Sequence, residues 1–179
     1  NKIVSADWSR VAVGRAAYAL LLNDNGGVID DIMGYRLSED EWLIVVNASR
    51  ADVDEAHFRA QLSQNITFRV LATRMMLAIQ GPQAESILQP LTQTDLSTLK
   101  WRDVVRAEVA GVAGILTRGG YTGCDGFEFM TENASPDVWN ALLKNGATPC
   151  GLGARDVLRL EAGLPLYGHE LREDWTPQE

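Results

Sequence analysis

Cysteine and histidine are scarce in this sequence of 179 residues, with two of each. Cys124 and Cys150 have no companion ligands at the short spacings that a tetrahedral zinc site needs, and His57 and His169 cannot furnish a His-rich centre. No metal is expected, and the two cysteines are read as free thiols in a reducing compartment. Long apolar runs are missing too: no stretch approaches the roughly 20 residues of a membrane span, and no signal-peptide pattern opens the chain. A membrane partner is therefore not expected, and a cytoplasmic location is. Positive charge is outweighed, 16 Lys and Arg against 24 Asp and Glu, for a formal net charge of −8. That balance argues against a nucleic-acid partner, whose phosphates call for a basic surface. Neither GxGxxG opening a helix nor GxxxxGK[ST] occurs, so the common nucleotide cradles are absent.

What is present is ordinary globular composition, 46% hydrophobic and 22% charged, enough for a sizeable core. "YALLL" and "VIDDIMGYRL" flank "NDNGG", whose Asn and Gly tolerate positive φ and suit a hairpin, and "EWLIVVNAS" reads as a third strand. A helix is expected over 51–64, with Ser49 as N-cap and Val53, Ala56, Phe58, Ala60 and Leu62 as an imperfect apolar face. "ITFRVL" and "MMLAIQ" read as strands, and "GPQAESILQPL" as a short helix with Pro82 in its first turn. "VVRAEV" and "GILTR" suggest a hairpin, "GFEFMT" a strand, and "SPDVWNALLKNG" a helix capped by Ser135. A last helix covers 152–162. Antiparallel strand groups alternating with helices predict an α+β fold, antiparallel sheets with packed helices, in two lobes of about 1–65 and 66–170.

Three places could carry chemistry. Within "GGVIDDIMGYR", Asp30 shares a strand face with Val28 and Ile32, and Asp31 shares the other with Ile29, Met33 and Tyr35. One reading is a turn-proximal pair, one carboxylate solvated and one accepting backbone bonds. The other is that a buried carboxylate waits for a ligand bearing N–H groups, since an unpaired buried charge costs several kcal/mol. In "RGGYTGCDGFEF", Glu128 points opposite Phe127 and Phe129, toward either solvent or a pocket. In "GARDVLRLEAG", Arg155 and Arg159 share one side of a helix and Asp156 can pair with Arg159 at i+3. Arg155 either belongs to an exposed salt-bridged face or holds an anionic or carbonyl group of a substrate.

"LLLNDNGGVIDDIMGYR", "WLIVVNAS", "LAIQGPQAESIL", "RGGYTGCDGFEF" and "GLGARDVLRLEAGLPLYGHEL" occur in the order and approximate spacing of the T-protein family of the glycine cleavage system. The resemblance covers nearly the whole chain from Gly14 onward. It implies an aminomethyltransferase that takes the aminomethyl group from the lipoyl arm of the H-protein, releases ammonia and delivers methylene to tetrahydrofolate. By motif match it implies that Asp31 is the catalytic carboxylate, that Glu128 anchors the pterin and that Arg155 contacts the ligand. It also implies that Tyr18 lines the folate channel and that Asn47 lies at the pterin-facing strand, with Asp30 left to the turn or the solvent side.

Two positions depart from the family pattern: Cys124 stands where an acidic residue is usual, and Gly119 where a larger one is. The family's segment before "NKIVSADW" and its carboxy-terminal barrel domain are expected to lie outside this chain, leaving a partial folate-binding domain. Relatives that demethylate dimethylglycine or sarcosine, and a non-catalytic folate-binding or interaction module, are the alternatives. Against the module, "RGGYTGCDGFE" does not reproduce the "KGCYxGQE"-like segment of folate-binding relatives in iron–sulfur cluster assembly.

Overall fold

A computed structural model describes residues 3–71, 74–132 and 136–178. Two antiparallel sheets with packed helices bear out the α+β expectation, one sheet in each of two compact units. The first unit runs to Val70 and takes back the chain from Pro165 onward; the second spans Leu71–Leu164. The division thus falls beyond residue 65, and the last segment returns to the first unit instead of closing the second lobe.

In the first unit β1 (Ala16–Leu22), β2 (Val28–Arg36) and β3 (Trp42–Val45) form a sheet in the order β1-β2-β3. Asn23 makes the β1–β2 connection: its Oδ1 accepts from the Asn25 and Gly27 amides at 3.0 and 2.9 Å, an Asx-type turn. Leu20 lies opposite Asp31 and Leu21 opposite Asp30, and the pairing then shifts at Leu22. One face of β2, Val28, Asp30 and Ile32, is buried together with Ala19 and Leu21 of β1. Trp8 stacks on Trp42 at 4.9 Å and lies over Gly34, where a Cβ would come within 2.4 Å of the indole.

Helix α1 (Ala51–Gln61) starts where expected but differs in its cap, its end and its buried face. Ser49 falls in a single 3-10 turn and the N-cap is Arg50, which makes no side-chain cap bond. Asp54 and Phe58 are the buried residues, whereas Val53 is 41% exposed. Phe58 fixes the rotation: it joins Ile32, Leu21 and Trp8 in the core, and a residue four back must share its face. Removing each such large side chain from water contributes about 1.5–3 kcal/mol, more than one Val or Ala can offset. "ITFRVL" is not a strand. Phe68 stacks on Phe58 at 5.9 Å, and Ile66 and Val70 are exposed, so burial of one aromatic outweighs strand propensity here.

The returning segment straps β2. The Val28 amide donates to the carbonyls of Arg172 and Trp175 at 2.9 and 3.2 Å, and Asn23 Nδ2 donates to the Glu173 carbonyl at 2.9 Å. Gly27 makes this approach possible, since a Cβ there would lie 1.8 Å from that carbonyl oxygen. Gly27→Ala is expected to detach the strap and cost about 1–3 kcal/mol through overpacking against backbone. Limited proteolysis would read it as faster cleavage within 165–178; an unchanged cleavage rate would contradict the assignment.

The second unit holds β4 (Met75–Gln80), β5 (Val104–Val109), β6 (Val112–Arg118) and β7 (Gly126–Thr131) in the order β4-β7-β6-β5. The β5–β6 hairpin turns through Ala110 and Gly111, both at positive φ, the signature of the two-residue turn that matches strand twist. Helix α2 (Ala84–Leu88) begins after Pro82, which stands outside its first turn. With α3 (Pro136–Lys144) it covers the face of Phe127, Phe129 and Leu116; the expected Ser135 cap lies outside the described residues. Helix α4 (Leu152–Glu161) leaves Leu152, Val157 and Leu160 exposed and buries only Arg159. Among the described residues no helix is long and apolar enough to cross a membrane, and no group of three or more His, Cys, Asp or Glu is arranged to hold a metal ion. Cys124 and Cys150 are free and exposed.

Candidate functional site

Strand alternation separates the two aspartates, and the structure decides which is which. Asp30 is 0% exposed, on the face that α1 covers, so it serves neither the turn nor the solvent. Both its oxygens are occupied by Asn47: the backbone amide donates to Oδ2 at 3.0 Å and Nδ2 to Oδ1 at 2.9 Å. Asp31 is half-buried on the opposite face, with Leu20 of β1 and Met33 and Val45 half-buried around it. Tyr18 donates its hydroxyl to Asp31 Oδ2 at 3.2 Å, and Asn47 Nδ2 donates to Oδ1 at 2.8 Å. Tyr18, Asp31 and Asn47 are therefore brought together, with Asn47 clamped between the two carboxylates.

Burial raises the Asp31 carboxyl above its usual 3.8, the bond from Asn47 pulls it back, and the charge of Asp30 raises it again. A carboxylate so placed is a stronger proton acceptor than an ordinary aspartate. Tyr18 holds one of its oxygens and Asn47 the other, and the roughly four lone-pair sites of a carboxylate leave room for an incoming N–H.

Asp54 was not among the sequence candidates. It is 1% exposed, it lies within hydrogen-bonding reach of Asp30, and among the described residues no donor reaches either of its oxygens. Arg50 is engaged elsewhere: Nε donates to the Ile29 carbonyl at 2.9 Å, Nη2 pairs with Glu173, and the guanidinium lies 4.7 Å from the ring centre of Tyr167. Burial and the contact with Asp30 push the Asp54 carboxyl up to about 8. The four-residue spacing of Asp54 and Phe58 was the available signal, since a core aromatic on a helix carries its i−4 neighbour to the same face.

Glu128 and Arg155 belong to the second unit. Glu128 is half-buried on β7, opposite Phe127 and Phe129 as alternation requires, and sits between Ala78 of β4 and Thr117 of β6 in register. Arg155 is exposed near the start of α4 with its guanidinium 4.4 Å from the ring centre of Tyr121. Arg159, its neighbour on the helix, is instead structural: it is 2% exposed, paired with Asp156 at 2.8 Å and donating to the Leu164 carbonyl at 3.2 Å. The glycine-rich loop between β6 and β7 is pinned by Gln80, which donates to the Gly119 carbonyl at 2.9 Å and accepts from Thr122 at 2.8 Å. A Cβ on Gly120 would lie 2.0 Å from Gln80 Oε1, so a larger residue there would displace the Gln80 amide from these bonds. Arg118 grips Asp125 with two bonds and holds its carboxyl below the usual range.

Residues 1–179 match the GCVT N-terminal domain family. The chain belongs to that family. An aminomethyltransferase of Exiguobacterium sibiricum is 46% identical over 100% of this chain and 50% of its own length. One from Thermus thermophilus is 51% identical over 96% of this chain, again half of the relative. The crystal structure of the glycine cleavage system aminomethyltransferase T from Bartonella henselae superposes with a TM-score of 0.84 at 32% identity, covering 98% of this chain and 48% of that one. A heterotetrameric sarcosine oxidase from a Corynebacterium species shares the fold at a TM-score of 0.50 and 19% identity, over 79% of this chain and 70% of its own. This GCVT N-terminal domain spans about half the length of the curated relatives it matches.

Proposed function

We propose that this chain carries the reactive carboxylate and part of the folate site of an aminomethyltransferase of the glycine cleavage system. The reaction moves the aminomethyl carbon of a lipoylated H-protein to tetrahydrofolate, releases ammonia and frees the lipoyl thiol. The observation supporting this most strongly is the double hold on Asp31, by Tyr18 and by the Asn47 amide, on a half-exposed face.

The residues present fit a folate: Asp31 has acceptor capacity to spare, and Leu20, Met33 and Val45 offer apolar surface against which a flat ring can lie. Tetrahydrofolate, when bound, supplies the two nitrogens, one in the pterin ring and one outside it, that take up the one-carbon unit. Asp31 orients the attacking N–H by accepting from it and takes up its proton at a carboxylate oxygen as positive charge develops beside it. Tyr18 and Asn47 keep the carboxylate from rotating away, so the geometry is set before the reactants meet. Glu128 is assigned to the amino-pyrimidine edge, where a carboxylate accepts paired N–H bonds, and Arg155 to a carbonyl or anionic group of the ligand.

Titrating the chain with tetrahydrofolate and following tryptophan fluorescence tests the reading. Saturable quenching is expected, weakened about tenfold or more in Glu128→Ala by loss of a charge-assisted hydrogen-bond pair. Absence of binding by the parent chain would overturn it. Turnover of sarcosine or dimethylglycine in place of aminomethyl-H-protein would transfer the site to a demethylase.

A further inference from the structure

Two buried carboxyls, Asp30 and Asp54, face each other in the core of the first unit, and among the described residues only Asp30 has donors. Both oxygens of Asp30 accept from Asn47, so a proton on Asp30 would stand against an N–H that already points at it. Asp54 has no described donor at either oxygen and needs a hydrogen-bonding role of its own. A proton carried by Asp54 and donated to Asp30 satisfies both groups with one negative charge instead of two. We propose that Asp54 is a positioning residue which keeps this proton, fixes Asp30 as a pure acceptor, and through Asn47 sets the orientation of Asp31. The consequence for Asp31 rests on its assignment as the reactive carboxylate; the shared proton does not.

The chain of contacts is continuous. Asp54 donates to Asp30, Asp30 accepts the backbone amide and one side-chain N–H of Asn47, and the other side-chain N–H is left for Asp31 Oδ1. Asn47 has two side-chain hydrogens, and an Asp30 repelled by an ionised Asp54 would compete for both. The groups facing Asp54 are Asp30 and Asp31 from β2, Arg50 at the N-cap of α1, and Tyr167 from the returning segment. Arg50 is the cation nearest the cluster, and its hydrogen bonds go to Ile29 and Glu173. Burial and Asp30 outweigh its pull and place the loss of the shared proton near pH 8.

Carboxyl carbon NMR of the chain, assigned with Asp54→Asn, tests the proton directly. Asp54 is expected to titrate far above 3.8, toward 8, with the Asn47 side-chain amide signals moving at the same midpoint. A midpoint near 4, or amide signals indifferent to it, would overturn the proposal. Asp54→Asn offers a permanent N–H where the acid offers O–H, and is expected to keep tetrahydrofolate affinity while abolishing its alkaline decline. Asp54→Leu has similar bulk and no donor, and is expected to lose about tenfold or more, the worth of one charge-assisted bond. Equal affinities and equal pH profiles in the two variants would mean a space-filling role and overturn the proposal. Failure of the parent chain to bind tetrahydrofolate would count against the functional assignment alone, and the NMR titration would still decide the proton.

Discussion

Asp31→Asn is expected to lower aminomethyl transfer by about 100- to 10,000-fold, the usual worth of a positioned proton acceptor, without lowering the melting temperature. The two halves of this result have one cause. Burial is the largest influence on Asp31 and raises its carboxyl, so the ionised form is held at some expense of stability while gaining basicity. An amide of the same shape relieves that strain: its oxygen can accept from Asn47 and its nitrogen can donate to the Tyr18 oxygen, so no partner is orphaned. Transfer rate falls because the amide cannot take a proton.

The wild-type rate is expected to decline toward acid with a midpoint above 3.8, as protonation removes the acceptor, and the residual rate of Asp31→Asn is expected to lack that limb. Stability runs the other way. A carboxyl whose folded value is raised contributes fully below 3.8 and loses that contribution as pH rises to its folded value, so Asp31 and Asp54 both favour the fold in acid. Rates of methylene-tetrahydrofolate formation and thermal melts across pH check both. Unimpaired transfer in Asp31→Asn would remove the residue from the chemistry.

Legibility from sequence was uneven for identifiable reasons. The β2 alternation was readable, and so was the placement of Asp30 and Asp31 on opposite faces; Glu128 stands opposite its flanking phenylalanines for the same reason. Which aspartate faced inward was not readable, because β2 is flanked by apolar residues on both sides and the answer lies with α1. The rotation of α1 was misread through Val53, Ala56 and Ala60, whose small surfaces cannot compete with Phe58 for the core. That error hid Asp54. "ITFRVL" misled because strand propensity expresses itself only where a neighbouring strand offers unpaired groups, and Phe68 had an aromatic partner instead. The motifs, in contrast, pointed to the family correctly, because their glycines and polar residues answer to local needs such as the Gln80 contact with Gly120.

Asn47→Ala is expected to cost about 3 kcal/mol of folding stability at pH 8, from the loss of two hydrogen bonds to charged acceptors in a half-dry setting. The backbone amide of residue 47 still reaches Asp30 Oδ2, so that carboxylate is not abandoned; Asp30 Oδ1 and Asp31 Oδ1 lose their side-chain donor together. Asn47 is one of the influences holding the Asp31 carboxyl down, and without it burial and the Asp30 charge act with less opposition. The Asp31 value therefore rises further, and the penalty is expected to shrink as pH falls and protonation neutralises Asp31. Asn47→Asp puts a third carboxylate where the donor stood and is expected to cost more at pH 8, with a larger recovery in acid. Urea denaturation of both variants at pH 8 and pH 5 measures the differences. A loss in Asn47→Ala equal at the two pH values would show that the side chain only fills space between the aspartates, and the hold on Asp31 would have to be sought in Tyr18 alone.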